Sequence, residues 1–318
     1  MSLIDLVFQE PELRDSPPVL VDIGAAGGVI PVWRDIARHC IGVGFEPDAR
    51  DAARLGAANS AFRHWVYIAG LVAPTAGEGE RKRFFLTSSP HCSSLLRPRT
   101  EALKDWLFAD LFIVQETVEV PAVTLAGALV AHGLDRIDWL KCDTQGLDLS
   151  LYLSLPDTWR RRMLAVEFEP GLIDAYEGED KFWQVLRAME AEPFWISDLH
   201  VCGTRRGNTA LFRKLLGERT TRWAGRIAPV SPGWVNVRYL RSLGTPAGQL
   251  DRRDLLLAWV FADLLGQHAH ALTAAHEGAE RFDGGIFKQM AARSARRLRW
   301  SMLAGFPDLI LRRLGLRQ

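Results

Sequence analysis

Short apolar runs alternate with segments of mixed polarity along most of this 318-residue chain. Runs of four to eight residues rich in β-branched side chains predict buried strands, and the segments between them predict helices that cover the sheet. Two such runs, Val19–Ile23 and residues 40–45, lie near the N-terminus, with a helix expected over residues 29–39 between them. The alternation predicts an α/β fold with a doubly wound, mostly parallel sheet of seven strands.

Later runs complete this prediction. Strands are expected at residues 63–72, 137–142, 163–168 and 194–201, with the last strand at 210–212 or, preferably, at 234–240. Shorter strands at 82–86 and 118–123, a polar non-core loop at 88–94, and helices at 48–59, 125–132, 149–155 and 180–192 fill the intervals. Pro246-Ala247-Gly248 breaks the pattern, so residues 1–245 are expected to form one domain. Residues 246–318 are then a helical extension that starts with helices at 255–265 and 269–282.

The first strand ends in an acid and a glycine-rich turn. Asp22 precedes a turn that contains Gly24, Ala25 and Gly27, and Glu46 ends the second strand. Strand, glycine turn, helix, strand and acid form the unit that binds an adenosine-containing cofactor. The turn lacks the G-x-G-x-x-G spacing that aims N–H groups at a pyrophosphate. A carboxylate at the turn suits the positive charge of S-adenosylmethionine, and Glu46 is placed to accept its ribose hydroxyl protons.

Two other classes of function stay open. A nicotinamide-dependent enzyme would use the same kind of turn, but no tyrosine is followed by Lys four residues later, as the short-chain dehydrogenase pair requires. The other alternative is a non-catalytic binding module that retains the fold.

The composition restricts the partners and the cellular compartment expected for the protein. A net charge of +1 argues against a nucleic-acid partner, and four scattered cysteines without a C-x-x-C pair argue against zinc and a disulfide framework. The N-terminal residues contain early acids and no basic start, and no apolar run approaches the ~20 residues of a membrane span. A cytoplasmic protein is the expectation.

Three later acids follow or end predicted strands, where the ligands of an open α/β sheet gather. Asp143 is the leading candidate for a catalytic base, with a cap for the helix near Leu147 as the alternative. Glu167 and Glu169 are two residues apart and should share one side of a strand, with Glu167 assigned to catalysis and Glu169 to acceptor binding. A divalent ion shared by the three acids is a weaker alternative, and no metal is assigned.

Other polar residues are secondary candidates. His200 at the end of a predicted strand is a candidate base that titrates near neutral pH. His91, Ser93 and Ser94 lie in the polar loop, where they are predicted to bind the acceptor, with ordinary surface and turn roles as the alternative. Lys141 is expected to form a salt bridge within the fold.

Four blocks resemble the FkbM family of S-adenosylmethionine-dependent methyltransferases. They are Val21-Asp22-Ile23-Gly24-Ala25, Gly44-Phe45-Glu46-Pro47, the serines at 88–89 and 93–94, and Lys141-Cys142-Asp143-Thr144-Gln145-Gly146, which is similar to the family's Lys-x-Asp-x-Glu/Gln-Gly. The likeness covers about residues 17–245.

The resemblance implies a class I methyltransferase, Rossmann-like, with Pro47 and Asp143 joining the residues of the turn around the cofactor. It also implies O-methylation of a hydroxyl on a sugar, glycolipid or polyketide-type acceptor. Gln145 stands where many members have Glu, and a neutral amide cannot act as a base.

The C-terminal segment is strongly basic. Residues 281–318 contain nine Lys or Arg against two Asp, interleaved with apolar residues at helical spacing. This pattern fits an interfacial helix on an anionic membrane, which would place the protein at the inner membrane face beside a lipid-linked sugar. A helix packed on the domain with a solvated basic face is the alternative.

Overall fold

The computed structural model describes residues 1–24, 29–47, 61–68, 70–244, 250–282 and 285–313, with side chains up to residue 303. The chain divides into two compact units. One is Val19–Leu240, and the other combines Met1–Pro18 with Arg241–Gln318. The sequence placed a boundary at 245, close to the second transition, but grouped the N-terminal residues with the sheet.

The described residues of the sheet unit form ten strands. They are β1 (Val19–Ile23), β2 (Ile41–Phe45), β3 (His64–Ile68), β4 (Leu71–Val72), β5 (Arg81–Thr87), β6 (Val114–Val123), β7 (Trp139–Cys142), β8 (Ala165–Phe168), β9 (Phe194–Thr204) and β10 (Ser231–Arg241), whose last residue belongs to the other unit. The described α-helices of the chain are α1 (Leu3–Val7), α2 (Pro11–Asp15), α3 (Thr100–Leu103), α4 (Leu125–Ala131), α5 (Asp148–Ser154), α6 (Asp157–Arg160), α7 (Phe182–Met189), α8 (Thr209–Ile227), α9 (Arg252–Leu264), α10 (His268–Arg281) and α11 (Gly285–Arg313).

Seven strands form one sheet in the order β3-β2-β1-β7-β8-β10-β9. The pairs from β3 to β8 are parallel, and β10 runs antiparallel to β8. All five residues of β1 are buried, as expected of a central parallel strand covered on both faces. The predicted α/β class and the mostly parallel seven-stranded sheet are confirmed.

The strand order reverses beside β1. The chain runs from β1 outward to β2 and β3, and later returns to place β7 and β8 on the other side of β1. In open α/β sheets this reversal leaves a crevice at the carboxyl ends of the two central strands, where ligands bind. A separate three-stranded sheet, β4-β6-β5, lies within the same unit.

The helix predicted over residues 29–39 is wrong. The structure has two 3₁₀ turns instead, Pro31–Trp33 and Ala37–His39. Pro31 disfavours the helical conformation of the residue before it, and Ile30 accordingly has an extended ψ of 130°. The helix predicted at 48–59 lies outside the described residues.

Three further predictions need correction. The single strand expected at 63–72 is two strands, β3 and β4, which belong to different sheets. The loop at 88–94 is partly core, because Cys92, Ser93 and Ser94 are buried. Residues 210–212 lie in α8, so β10 is the last strand, as the preferred alternative predicted.

The second unit is helical. Its α9 is buried along most of its length, and α11 buries Phe287, Met290 and Ser294 on one side. The carboxylate of Asp263, buried in this unit, binds Arg293 at 2.9 Å and Arg297 at 3.0 Å. The described part of the basic segment therefore packs on its own unit, and the interfacial helix stays a prediction. None of the helices in the described ranges combines the length and the apolar character that crossing a bilayer requires.

Candidate functional site

A cavity of about 710 Å³ lies within the sheet unit, at the carboxyl ends of β1, β2 and β7. This volume is within the roughly 300–1,000 Å³ of typical ligand sites. Its lining includes eight of the predicted site residues: Asp22, Gly24, Glu46, Pro47, His91, Ser93, Asp143 and Glu169. The structure thus brings together side chains from separate parts of the chain. Ala25 and Gly27 lie outside the described residues.

Asp22, Lys141 and Asp143 form a charged cluster at the strand-order reversal. The Lys141 Nζ lies 3.3 Å from Asp22 Oδ1 and 3.7 Å from Asp143 Oδ2. Burial raises the pKa of Asp22, and the ammonium of Lys141 partly opposes this effect. Burial disfavours the charged form of Lys141, but Asp22, Asp143 and Glu169 outweigh it and raise the lysine pKa. The predicted salt bridge of Lys141 is confirmed, and its partners are two candidate site acids.

The turn after β1 depends on Gly24. Its φ of +81° is a backbone conformation that residues other than glycine rarely adopt. A Cβ at this position would also lie 2.2 Å from the carbonyl oxygen of Asp143. Glycine therefore lets the turn pass directly over the end of β7, which keeps Asp22 and Asp143 at one edge of the cavity.

Gln145 orients Asp143. The Gln145 side-chain amide donates to Asp143 Oδ1 at 2.7 Å, and its Oε1 lies 3.1 Å from the Tyr176 hydroxyl. Gln145 itself has a positive φ of 57°. An amide can donate to a carboxylate where an ionised glutamate would repel it, so glutamine suits this position. Gln145 and Lys141 together give both Asp143 oxygens a partner. The helix α5 begins only at Asp148 and has no side-chain cap, so Asp143 does not cap this helix.

Glu46 lines the cavity from the end of β2, the strand that neighbours β1. It follows β2, is buried with 7% of its surface exposed, and lines the cavity together with Pro47. The Tyr67 hydroxyl donates to its backbone carbonyl at 3.2 Å. Apolar side chains of Leu71 and Val72 continue the wall from there. This half of the cavity combines one carboxylate with a flat apolar surface.

Glu169 follows β8 and faces the cavity from the other side of Asp143. Burial, with Asp143 as a second cause, raises the pKa of Glu169 to about 8. The neighbouring Asn236, with its amide oriented to donate, has its nitrogen 3.2 Å from each Glu169 oxygen. A carboxyl group with this pKa exchanges its proton near neutral pH, which is the property of a general base.

An aromatic wall closes the remaining part of the cavity. Phe108 stacks on Trp234 with ring centres 6.4 Å apart, and contacts Phe112 at 5.0 Å. Phe112 in turn packs against Tyr176 at 5.6 Å. All four side chains line the cavity. The sequence pattern did not single out these aromatic residues, because they lie in loops and at strand ends without a motif.

Acidic side chains outnumber basic ones in the lining of the cavity, although Glu169, with its pKa of about 8, is largely protonated at neutral pH. Among the described residues, the basic side chains in the lining are Arg34 and Lys141, and His91 also lines the cavity. Five carboxyl groups line it: Asp22, Glu46, Asp143, Glu169 and Glu179. Lys181 neutralises Glu179 at 2.7 Å from outside the lining. An excess of carboxylates attracts cationic groups and repels phosphates.

Two predicted catalytic residues lie elsewhere. Glu167 and His200 line a smaller cavity of about 210 Å³ and are not in the lining of the larger one, whereas Lys141 and Glu169 line both. Glu167 accepts from the Trp139 indole at 2.8 Å and from Arg238 at 3.0 Å. Its two oxygens are therefore engaged within the fold, and His200 is solvent-exposed. The geometry gives neither residue access to the larger cavity.

The predicted loop residues separate in the same way. His91 is exposed at the cavity wall, and Ser93 is buried with its hydroxyl accepting from the Thr87 N–H at 3.1 Å. Ser94 does not line the cavity, because its hydroxyl donates to the Gln145 carbonyl at 2.9 Å and so fixes the loop against the end of β7. Its role in the structure is to position the Asp143–Gln145 segment.

No group of three or more His, Cys, Asp or Glu side chains in the described residues is arranged to hold a metal ion. No protein-family model matches the sequence, and no curated protein matches it. A functional assignment therefore depends on the geometry and charge of the cavity.

Proposed function

We propose that the protein is an S-adenosylmethionine-dependent O-methyltransferase. The observation that carries this proposal is that Asp22, Glu46 and Asp143 line one cavity at the strand-order reversal. Each acid belongs to a different strand end; the sequence motif required Asp22 and Glu46 to meet around one ligand, and the FkbM resemblance adds Asp143. A glycine turn without that convergence would be compatible with many α/β proteins.

The strand order supports a methyltransferase in preference to a dinucleotide enzyme. The dinucleotide-binding sheet has the order 3-2-1-4-5-6. Here β10 is inserted antiparallel between β8 and β9, which is the hairpin finish that we expect of the class I methyltransferase fold implied by the FkbM resemblance.

The charge of the cavity supports the same choice. A nicotinamide dinucleotide would bring a pyrophosphate into a cavity in which carboxylates outnumber basic side chains. S-adenosylmethionine brings a sulfonium and an ammonium, which such a cavity favours, and its single carboxylate can pair with Lys141. Asp22 and Asp143 are placed for the ammonium, and Glu46 for the ribose hydroxyls.

The chemistry needs an oriented acceptor and a proton acceptor. When bound, the cofactor supplies a methyl group activated by positive sulfur. The protein must hold an acceptor hydroxyl in line with that methyl group and remove its proton. Glu169 is better suited to accept the proton than Asp143, because Asp143 is held by Gln145 and Lys141. This assignment gives Glu169 the role of base that the sequence suggested for Asp143, and leaves Asp143 with the cofactor.

The aromatic wall identifies the acceptor side of the cavity. Phe108, Phe112, Tyr176 and Trp234 line the same cavity as Glu169, and the Trp234 side chain is hydrogen-bonded to Glu169. Ring faces bind the apolar face of a sugar or a hydrophobic chain while a polar group remains free to meet a carboxylate. A hydroxyl on a sugar, glycolipid or polyketide-type molecule is the acceptor class we propose.

Calorimetric titration with S-adenosylmethionine and, separately, NAD tests the cofactor. We expect saturable binding of the former and none of the latter. The reverse result would support the oxidoreductase alternative. Methyl transfer is then assayed with labelled cofactor on extracted glycans and lipids. Tight cofactor binding without transfer to either extract would favour the non-catalytic module.

A further inference from the structure

The segment α8 is two helical pieces joined at Gly217, whose φ of 78° and ψ of 165° are not helical, and it has few packing partners within the sheet unit. Of the residues in Thr209–Ile227, only Thr209 and Thr221 are buried. The exposed residues nevertheless include five large apolar side chains: Leu211, Leu215, Leu216, Trp223 and Ile227, with Val230 following the helix. Ile227 is 73% exposed and Trp223 60% exposed. Exposed apolar side chains concentrated on one element mark an interaction surface.

The same helix is strongly basic. It contains Arg213, Lys214, Arg219, Arg222 and Arg226 against a single acid, Glu218. Arg213 pairs with Asp110 and Glu218, whereas no carboxylate in the described residues lies within ion-pair distance of Arg219, Arg222 or Arg226. At helical spacing these three arginines form one stripe, and Trp223 and Ile227 lie four residues apart on the adjacent stripe. An arginine stripe beside a Trp-containing apolar stripe is the pattern of a helix that lies in a membrane interface.

The base of α8 is attached to the wall of the larger cavity. Arg213 binds Asp110 at 2.8 Å, and Asn208 donates to Asp105 at 3.3 Å. The segment between these two acids and just beyond them supplies Phe108, Leu111 and Phe112 to the cavity lining. The piece of α8 before Gly217 is therefore held near the aromatic residues of the cavity, and the arginine and Trp223–Ile227 stripes lie on the piece that follows Gly217.

We propose that α8, with Val230, docks on an anionic lipid bilayer through its Trp223–Ile227 stripe and its Arg219–Arg222–Arg226 stripe. Charge complementarity favours a bilayer with anionic headgroups, because the three arginines have no carboxylate partner and the apolar stripe lies beside them. The basic C-terminal segment is a weaker candidate, since Arg293 and Arg297 are engaged by buried Asp263. The vesicle-binding proposal does not depend on enzymatic activity. The further step, that the acceptor is a membrane lipid, rests on the proposed function.

Sedimentation of the full chain with vesicles tests the proposal. We expect binding to vesicles of phosphatidylcholine mixed with phosphatidylglycerol and little binding to phosphatidylcholine alone. Trp223→Ser with Ile227→Ser should reduce the binding constant at least about a hundredfold, equivalent to about 3 kcal/mol, because two large apolar side chains no longer enter the bilayer. Arg219→Gln with Arg222→Gln and Arg226→Gln should reduce it by about a hundredfold, at about 1 kcal/mol per charge.

Two matched controls locate the effect. Trp183→Ser removes an exposed tryptophan of α7 and should leave vesicle binding unchanged. Lys288→Gln with Arg296→Gln and Arg299→Gln removes three exposed charges of α11 and should change binding by less than the α8 variants. All substituted side chains are exposed, so thermal unfolding should match wild type.

Three results would overturn the proposal. The wild-type chain could fail to bind the anionic vesicles. The α11 variant could lose binding while the α8 variants retain it. Analytical ultracentrifugation without lipid could show a dimer that Trp223→Ser with Ile227→Ser dissociates, which would assign the surface to a second copy of the chain.

Discussion

The larger and the smaller cavity each contain a glutamate from the end of β8, and the two side chains have different environments. Glu167 in the smaller cavity accepts from Trp139 and Arg238, so a cation and an indole engage both of its oxygens. Glu169, two residues later, has the neutral Asn236 beside it and a hydrogen bond from Trp234, and burial and Asp143 outweigh the effect of Lys141 on its pKa. The two acids lie on one side of a chain segment, but only Glu167 has a cation within ion-pair distance among the described residues.

The neighbouring strand explains this difference. Arg238 of β10 is the register partner of Glu167 in the antiparallel pair, so the ladder itself brings a cation to that acid. Glu169 lies beyond the end of β8 and beyond this pairing. An acid within the ladder is neutralised by the fold, whereas an acid just past the strand end is available to a ligand. This comparison favours Glu169 over Glu167 as the reactive carboxyl group.

The largest effect should follow Glu169→Gln. Removal of a general base lowers kcat by about 10²–10⁴-fold, and glutamine keeps the shape of the side chain. In the wild-type protein kcat/KM should rise with pH up to about 8, because the base must lose its proton, and then level off. In the variant, kcat/KM should not show this rise with pH. The measurement is methyl transfer to the acceptor over a pH series, and an unchanged profile in the variant would assign the base to another group.

The second effect concerns stability at the same residue. Between the ordinary pKa of glutamate and about 8, folded Glu169 retains a proton that the unfolded chain has lost. The free energy of unfolding should therefore fall as the pH rises through this window. Glu169→Gln removes the dependence and should gain on the order of 3 kcal/mol relative to wild type between pH 5 and 8, since one pKa unit is worth about 1.4 kcal/mol.

Urea unfolding of both proteins at several pH values measures this difference. Asp22 and Asp148 also have raised pKa values, but they are present in both proteins and cancel in the comparison. A gap between the two proteins that is constant with pH would mean that Glu169 titrates normally when folded.

The third effect concerns the cofactor half of the larger cavity. Glu46→Ala should weaken S-adenosylmethionine binding by about 1–3 kcal/mol, through loss of hydrogen bonds to a charged acceptor. Glu78→Ala removes an exposed glutamate of the turn before β5 and is the matched control. Titration calorimetry of both variants measures the change. Equal affinity in Glu46→Ala and wild type would remove Glu46 from the site.

The sequence predicted the sheet and the position of Asp22 and Glu46 at strand ends because these features are local. The apolar runs of β1 and β2 and the acids that end them lie within one stretch of chain, and their parallel pairing follows from the helix-length spacing. The sequence also predicted Asp143 and Glu169 as strand-end groups. What it could not give was their partners, since Tyr176 is 31 residues from Gln145 and Arg238 is 71 residues from Glu167.

The position of Lys141 beside Asp143 could be read from the sequence, but its contact with Asp22 could not. It is two residues before Asp143, so the period of a strand places both on one side. Its contact with Asp22 requires the knowledge that β1 and β7 are neighbours, with these two residues in register. The 3₁₀ turns at 31–39 were missed for a different reason, because apolar spacing outweighed the effect of Pro31 on Ile30.

The smallest effect should follow Glu167→Gln, the counterpart of the first substitution. Glutamine can still accept from the Trp139 indole but loses the charge that Arg238 binds, so the free energy of unfolding should fall by about 1 kcal/mol. Methyl transfer should stay close to the wild-type rate, because Glu167 does not line the larger cavity. Urea unfolding and the transfer assay measure the two quantities on one preparation. A loss of activity comparable with that of Glu169→Gln, at unchanged stability, would mean that the ladder does not neutralise Glu167, and the contrast between the two cavities would no longer hold.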